Sequence, residues 1–196
     1  GLDERACRAV ERVALFHDIG KIDEALFDIV HERTSLTGTQ RREIATHPRR
    51  GADVLAPLKA FYPELPEGVL AHHERWDGSG YPRGLRGSRI PIEARFVTIA
   101  DTFDAVAHSR RYREGSGFTA AAEVIAAGRG TQFDPDLVDL MLLPPIMRQL
   151  AQVDMKRRSR RHGRRQRQRE AVPDVSFRWR SESLDSRRVS ASREIE

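Results

Sequence analysis

Cysteine is almost absent: Cys7 stands alone among 196 residues, so no disulfide can form within the chain. Long apolar runs are missing too, and none approaches the roughly 20 residues that a membrane-spanning helix needs. The opening GLDERACRAVERV has no signal-peptide pattern. Together these absences lead to the expectation of a soluble, cytoplasmic protein. Strand signal and internal repeats are also scarce. The length suits one well-buried domain with a tail and hardly two full domains.

What is present is unevenly spread. The net charge of +5 belongs to the C-terminal end, where residues 155–196 hold 14 Lys/Arg against 6 Asp/Glu. The preceding residues carry 20 basic and 23 acidic side chains, a net of −3. The division expected is therefore a domain over residues 1–154 and a basic, disordered tail over 155–196. Nine of the fourteen residues 156–169 are Lys or Arg and none is apolar, so this run buries no face and repels itself. Weak contact with nucleic acid or an anionic surface is compatible with it.

The first 154 residues read as helix upon helix. Ala6, Val10, Val13, Ala14 and Phe16 or His17 recur at helical spacing, and Gly20 could end that helix. Thr37 can cap a helix through Arg41–Ala45 that ends near His47-Pro48. Pro66 fits the first turn of a helix carrying His72 and His73. Residues 76–91 hold four glycines and two prolines, a structured loop. Pro91 opens a helix bearing Ala94, Val97, Ala100, Asp101, Asp104, Ala105 and Val106. Further helices are predicted over Thr119–Ala127 and Pro135–Leu143.

Three segments carry chemistry: His17-Asp18-Ile19-Gly20-Lys21, His72-His73-Glu74-Arg75-Trp76-Asp77-Gly78-Ser79-Gly80-Tyr81-Pro82, and Ile99-Ala100-Asp101-Thr102-Phe103-Asp104-Ala105. Imidazole suits divalent transition metals, and carboxylate oxygens can bridge two of them. Two ions a few ångströms apart can activate a water and offset charge on a phosphate. Adjacent residues on a helix point about 100° apart, so His17 and Asp18 share a site only near a helix end. His31, His108 and His162 read as structural or exposed. Trp76 reads equally well as a packing residue or a base-stacking one, and Asp104 as a cap or tether of the glycine loop.

These segments, in this order, resemble the HD-GYP family of the HD phosphohydrolases, over roughly residues 1 to 143. The resemblance implies an all-α, HD-type helical bundle and metal-dependent hydrolysis of cyclic di-GMP to pGpG and/or GMP in bacterial signalling. Carried over position by position, His17, Asp18, His47, His72, His73 and Asp101 would be metal ligands, with Asp18 bridging. Lys21 would act catalytically beside Asp18 at the scissile phosphate. Arg110 and Arg113 would bind phosphate, for which the guanidinium fork is suited, and Gly80, Tyr81 and Pro82 would line the substrate cleft or carry a partner surface. Two metal ions are implied, three in some members, with iron or manganese favoured by a ligand set free of thiolate. A homodimer and signalling partners at the GYP loop are compatible with the resemblance. Two departures stand out. Family members carry a helix before the HD pair with a further histidine, yet no histidine precedes His17, so the bundle is expected without its first helix. The run Asp23 to Thr37 lacks the family's Lys-Pro-Gly-Pro turn. Hydrolysis of another nucleotide by a related HD enzyme, a catalytically weak signal- or partner-binding module, and a nucleic-acid-binding protein driven by the tail remain as alternatives.

Overall fold

The computed structural model describes residues 2–22, 37–108 and 116–156. The predictions for Arg110, Arg113, His31, His162, the run 23–36 and the tail beyond residue 156 lie outside the described residues. Contacts separate Gly1–Val153 from Asp154–Glu196, and the fold described below is that of the first unit.

Among the described residues the chain is helical, with one isolated bridge between Arg129 and Phe133 and no strand. The helices are α1 (Glu4–Phe16), α2 (Gly38–Ile44), α3 (His47–Leu55), α4 (Glu64–Ala71), α5 (Ile92–Ala107), α6 (Ser116–Ala127) and α7 (Pro135–Met141). Residues 144–156 are also helical. Short 3₁₀ turns occupy Ile19–Ile22, Ala56–Ala60 and Gly87–Arg89.

Local chemistry explains several boundaries. Asp3 caps α1 by accepting from Ala6 N–H. Thr37 and Gln40 form a reciprocal capping box on α2. Pro48 sits in the first turn of α3, where a missing N–H costs nothing. Since α2 stops earlier, at Ile44, His47-Pro48 does not end it as expected but begins the next helix.

Helix α5 is the centre, packing against α1, α4, α6 and α7. Val13, Leu55, Leu65, Val69 and Val97 make one buried cluster, joined by Phe16 and Ile19. Ile99, Ile125, Phe133 and Val138 make another, and Ala71, Ile90 and Ala94 a third with Leu85 against it. Each fully buried Leu, Val, Ile or Phe contributes about 1.5–3 kcal/mol from area removed from water. Gly68 lets α4 press on α1, because a Cβ there would stand 2.6 Å from Val13 Cγ2.

The buried face of α1 shares Val13 and Phe16 with the predicted one and departs from it at Ala9 and Ala14. Ala9 and Val13 are buried and Phe16 packs beside them, whereas Ala14 is exposed. Packing against α4 and α5 turns Ala9 inward and leaves Ala14 outside. Gly20 does not end α1, which stops at Phe16 with His17 as its cap. It lies buried in the following 3₁₀ turn, where a Cβ would come 2.1 Å from His47 O and 2.6 Å from Gly51 N. Only glycine lets that turn touch the backbone of α3.

Candidate metal centre

Four imidazoles meet where α1, α3 and α4 end or begin. His17 is the C-cap of α1, His47 opens α3, His72 is the C-cap of α4, and His73 follows it. Ring centroids lie 5.3 Å apart for His17–His72, 5.1 Å for His47–His72, 5.0 Å for His47–His73 and 4.2 Å for His72–His73. The contact at Gly20 brings the His17–Asp18 turn onto His47.

Three of these rings are aimed by one device. Nδ1 of His17 meets Ala14 O at 2.8 Å, Nδ1 of His47 meets Ile44 O at 2.7 Å, and Nδ1 of His72 meets Val69 O at 2.6 Å. A carbonyl oxygen only accepts, so Nδ1 carries the proton and Nε2 of each neutral ring keeps its lone pair. Each carbonyl belongs to the last turn of its helix, where no backbone N–H would reach it. Thr98 Oγ1 supports the same region by donating toward His72 O, 2.7 Å away.

The inward nitrogens converge on Asp18. His47 Nε2 is 3.3 Å and His72 Nε2 4.0 Å from Asp18 Oδ1, and His17 Nε2 is 3.4 Å from Oδ2. Lys21 Nζ stands 2.8 Å from each carboxylate oxygen and donates to Oδ2. Oδ1 is buried yet receives no well-directed hydrogen bond. Asp101, on α5, reaches the group from the far side, with Oδ1 3.8 Å from His17 Nε2. The structure therefore brings His17, Asp18, His47, His72, His73 and Asp101 together, with Lys21 at the edge.

Electrostatics favour neutral His72 and His73 rings beside an ionised Asp18. Burial, reinforced by the neighbouring imidazoles, pushes His72 down to about 3. Burial, with His47 and Lys21 nearby, pushes His73 down to about 4. Burial works against the charge on Asp18, but His47 and Lys21 within reach, with His17 beside them, hold its carboxyl well below the ordinary range.

This geometry fits a cation. His47 Nε2 and His72 Nε2 are 3.1 Å apart. With both Nδ1 protons spent on carbonyls, two lone pairs face one another, which is repulsive unless a positive centre lies between them. Two nitrogens bound at about 2.1 Å to one ion stand roughly 3.0–3.4 Å apart. Ligand atoms of His47, His72 and His73 all lie within 4.8 Å of one another, a grouping able to hold a metal ion. Cys7 is exposed and contributes no thiolate to that group.

The glycine loop is built onto this cluster. Glu74, 1 % exposed, accepts Arg83 N–H at 2.8 Å and Leu85 N–H at 2.9 Å, one on each carboxylate oxygen. Tyr81 N–H donates to His73 O at 3.2 Å, and the Tyr81 ring stacks on His73 at 5.0 Å and 18°. Burial, with Asp18 and Asp101 near, pushes the Tyr81 phenol up to about 12. Gly80 must be glycine, since a Cβ would fall 2.3 Å from Arg75 N and 2.6 Å from Glu74 Cα. Trp76 packs under Arg95, 5.9 Å away, and Arg95 bonds buried Asp134 at 2.7 Å. Asp104 and His108 face one another at 3.2 Å on α5, so the tether expected of Asp104 falls to Glu74. The sequence reading missed Glu74, although its place directly behind paired histidines and ahead of a glycine loop was a usable signal.

A model of the HD domain family matches residues 1–137. The chain belongs to the HD domain family. The HD-GYP reading of its motifs agrees with that assignment. The cyclic di-GMP phosphodiesterase response regulator RpfG of Xanthomonas campestris pv. campestris is 41 % identical over 72 % of this HD domain chain and 38 % of its own length. The 3'3'-cGAMP-specific phosphodiesterase 2 of Vibrio cholerae is 35 % identical over 72 % of this chain and 27 % of its own. A cyclic di-GMP phosphodiesterase of Thermotoga maritima is 34 % identical over 72 % of this chain and 39 % of its own. The chain thus spans less than two-fifths of these relatives. A crystal structure of a cyclic GMP-AMP-specific phosphodiesterase of V. cholerae, V-cGAP3, shares the fold, with a TM-score of 0.54 and 24 % identity over 77 % of this chain and 39 % of that one. HD domains are metal-dependent, and the histidine cluster is where this one can hold an ion.

Proposed function

We propose that this HD domain is a metal-dependent phosphodiesterase that hydrolyses cyclic di-GMP to pGpG and GMP. The observation that carries the reading is the ring of inward Nε2 atoms around Asp18, each set by a helix-end carbonyl. His17, Asp18, His47, His72, His73 and Asp101 would hold two divalent ions, iron or manganese, since the donors are imidazole and carboxylate without thiolate. Bound there, such ions supply Lewis acidity toward phosphoryl oxygens and activate water.

The chain's own residues supply the rest. Asp18 holds a negative charge between the rings and competes with water for the cations. Lys21, resting on Asp18, lies close enough to meet charge on a phosphate docked at the cluster. Tyr81 keeps its phenol proton, so it can donate to a phosphate or ribose oxygen but adds no negative charge. Gly80 and Pro82 shape the wall beside it. Arg110 and Arg113 are assigned to phosphate binding on sequence pattern alone.

A second substrate, 3'3'-cGAMP, has support from the Vibrio relatives, whose names specify it. The test is incubation of each cyclic dinucleotide with protein reconstituted anaerobically with Fe(II) or Mn(II), followed by chromatography. The Asp18→Ala variant is the background. Linear product from cyclic di-GMP above that background supports the reading; product from 3'3'-cGAMP alone replaces it with the second. The double variant His72→Ala/His73→Ala should lose both metal and turnover, and full metal occupancy in it would refute the ligand assignment.

A further inference from the structure

Glu74 touches none of the Nε2 atoms, yet it is among the most buried side chains in the molecule. A carboxylate is expensive to bury without partners. Its partners here are backbone amides rather than a cation, namely the N–H groups of Arg83 and Leu85, nine and eleven residues further along. These two bonds close the loop back upon its own start. Between the anchor points lies Tyr81, whose N–H bonds His73 O and whose ring stacks on the His73 imidazole. Gly80 presses against Glu74 Cα, leaving the closed loop no room to shift toward the helix.

His73 differs from its three neighbours in this respect. His17, His47 and His72 are each oriented by a helix-end carbonyl three residues before them. His73 follows α4 and is braced by the ring of Tyr81. From this we infer that Glu74 is a positioning residue for the metal centre, acting through the loop closure to hold Tyr81 against His73. The inference rests on the metal-centre reading above and adds the element that orients the one imidazole that the helix ends do not.

The test is Mn(II) titration of the full chain by calorimetry, which reads metal affinity without any substrate. Glu74→Gln keeps the side-chain shape but turns an amide NH₂ toward one of the two backbone donors. It should keep its helical circular dichroism and lose about 10- to 100-fold in Mn(II) affinity, the usual scale for groups that orient ligands. Tyr81→Ala should weaken affinity in the same direction. The two together should cost less than the product of their separate fold-losses, because they act along one route. Ile125→Ala, which hollows the buried cluster shared with Ile99, Phe133 and Val138, serves as the stability control. It should lower the melting temperature and leave Mn(II) affinity unchanged.

Glu74→Gln binding Mn(II) within about twofold of the parent overturns the inference. So does full multiplicativity of the two variants, or a loss of affinity in Ile125→Ala that tracks its loss of melting temperature as Glu74→Gln does. If Glu74→Gln fails to fold, Tyr81→Ala decides alone, and an unchanged affinity there refutes the route. A parent protein that binds no Mn(II) refutes the metal-centre reading itself, an outcome distinct from all of these.

Discussion

Asp18 and Lys21 make the sharpest contrast between neighbouring residues. Asp18 lies within 4.0 Å of three Nε2 atoms, whereas Lys21 contacts the carboxylate alone. Lys21→Ala should therefore leave bound metal intact and lower turnover by about 100- to 1,000-fold, the range seen when a single charge-stabilising group is lost. Metal analysis beside kcat checks it, and unchanged kcat would remove Lys21 from the chemistry. The histidines predict a pH effect. His72 sits at about 3 when folded against an ordinary 6.5, so between those values the unfolded chain takes up a proton that the folded chain refuses. Stability is then fully present above about pH 6.5 and declines as the pH falls toward 3. In metal-free protein, denaturant unfolding at pH 7 and pH 5 should differ by about 2 kcal/mol in favour of pH 7, at roughly 1.4 kcal/mol per pH unit. Equal stability at the two values would mean that His72 is not buried as a neutral ring.

Helices and turns decide how those residues meet. Capping chemistry located α2, α4 and α5, because Thr37, Pro66 and Pro91 act locally through missing or satisfied donors, whereas α3 escaped it, Pro48 reading as a stop while it occupies that helix's first turn. Periodicity did not settle which face of α1 is buried, since that depends on α4 and α5, which lie far along the chain. Residue type marked the six metal-centre candidates, but not Glu74, whose importance lies in a loop closure that no spacing rule describes. Gly20 shows the same limit: it looked like a helix stop and is instead a point of backbone contact between the 3₁₀ turn and α3. Gly20→Ala places a methyl carbon 2.1 Å from His47 O, and only backbone movement can relieve that. We expect a loss of about 3 kcal/mol in unfolding free energy, at the severe end for one substitution, together with weaker metal binding. A variant that melts like the parent would show that the turn can retreat without consequence.

At the scale of the molecule, apolar core and basic charge are unevenly distributed along the chain. The core clusters lie within Gly1–Val153, and the basic character lies beyond. A chain ending at Val153 should keep its Mn(II) affinity and melt within a few degrees of the parent. If residues 154–196 contact nucleic acid, the same truncation should abolish salt-sensitive retention on DNA, as expected when phosphate neutralisation drives binding. Loss of metal affinity on truncation would show that the domain extends further than its core. Among the described residues no helix is long and apolar enough to cross a membrane.

The helix-end carbonyls that fix His17, His47 and His72 have a further consequence for charge. Many metal-binding imidazoles are oriented by a carboxylate on the second nitrogen, and each such partner adds a full negative charge beside the ion. Neutral peptide oxygens perform that task here. The cluster can thus orient three imidazoles while spending its anionic character on Asp18 and Asp101 alone. With divalent ions held as proposed, a cavity so economical in negative charge would leave more of their field unspent, and an anionic ester arriving from water would be drawn in more strongly than toward a carboxylate-braced centre.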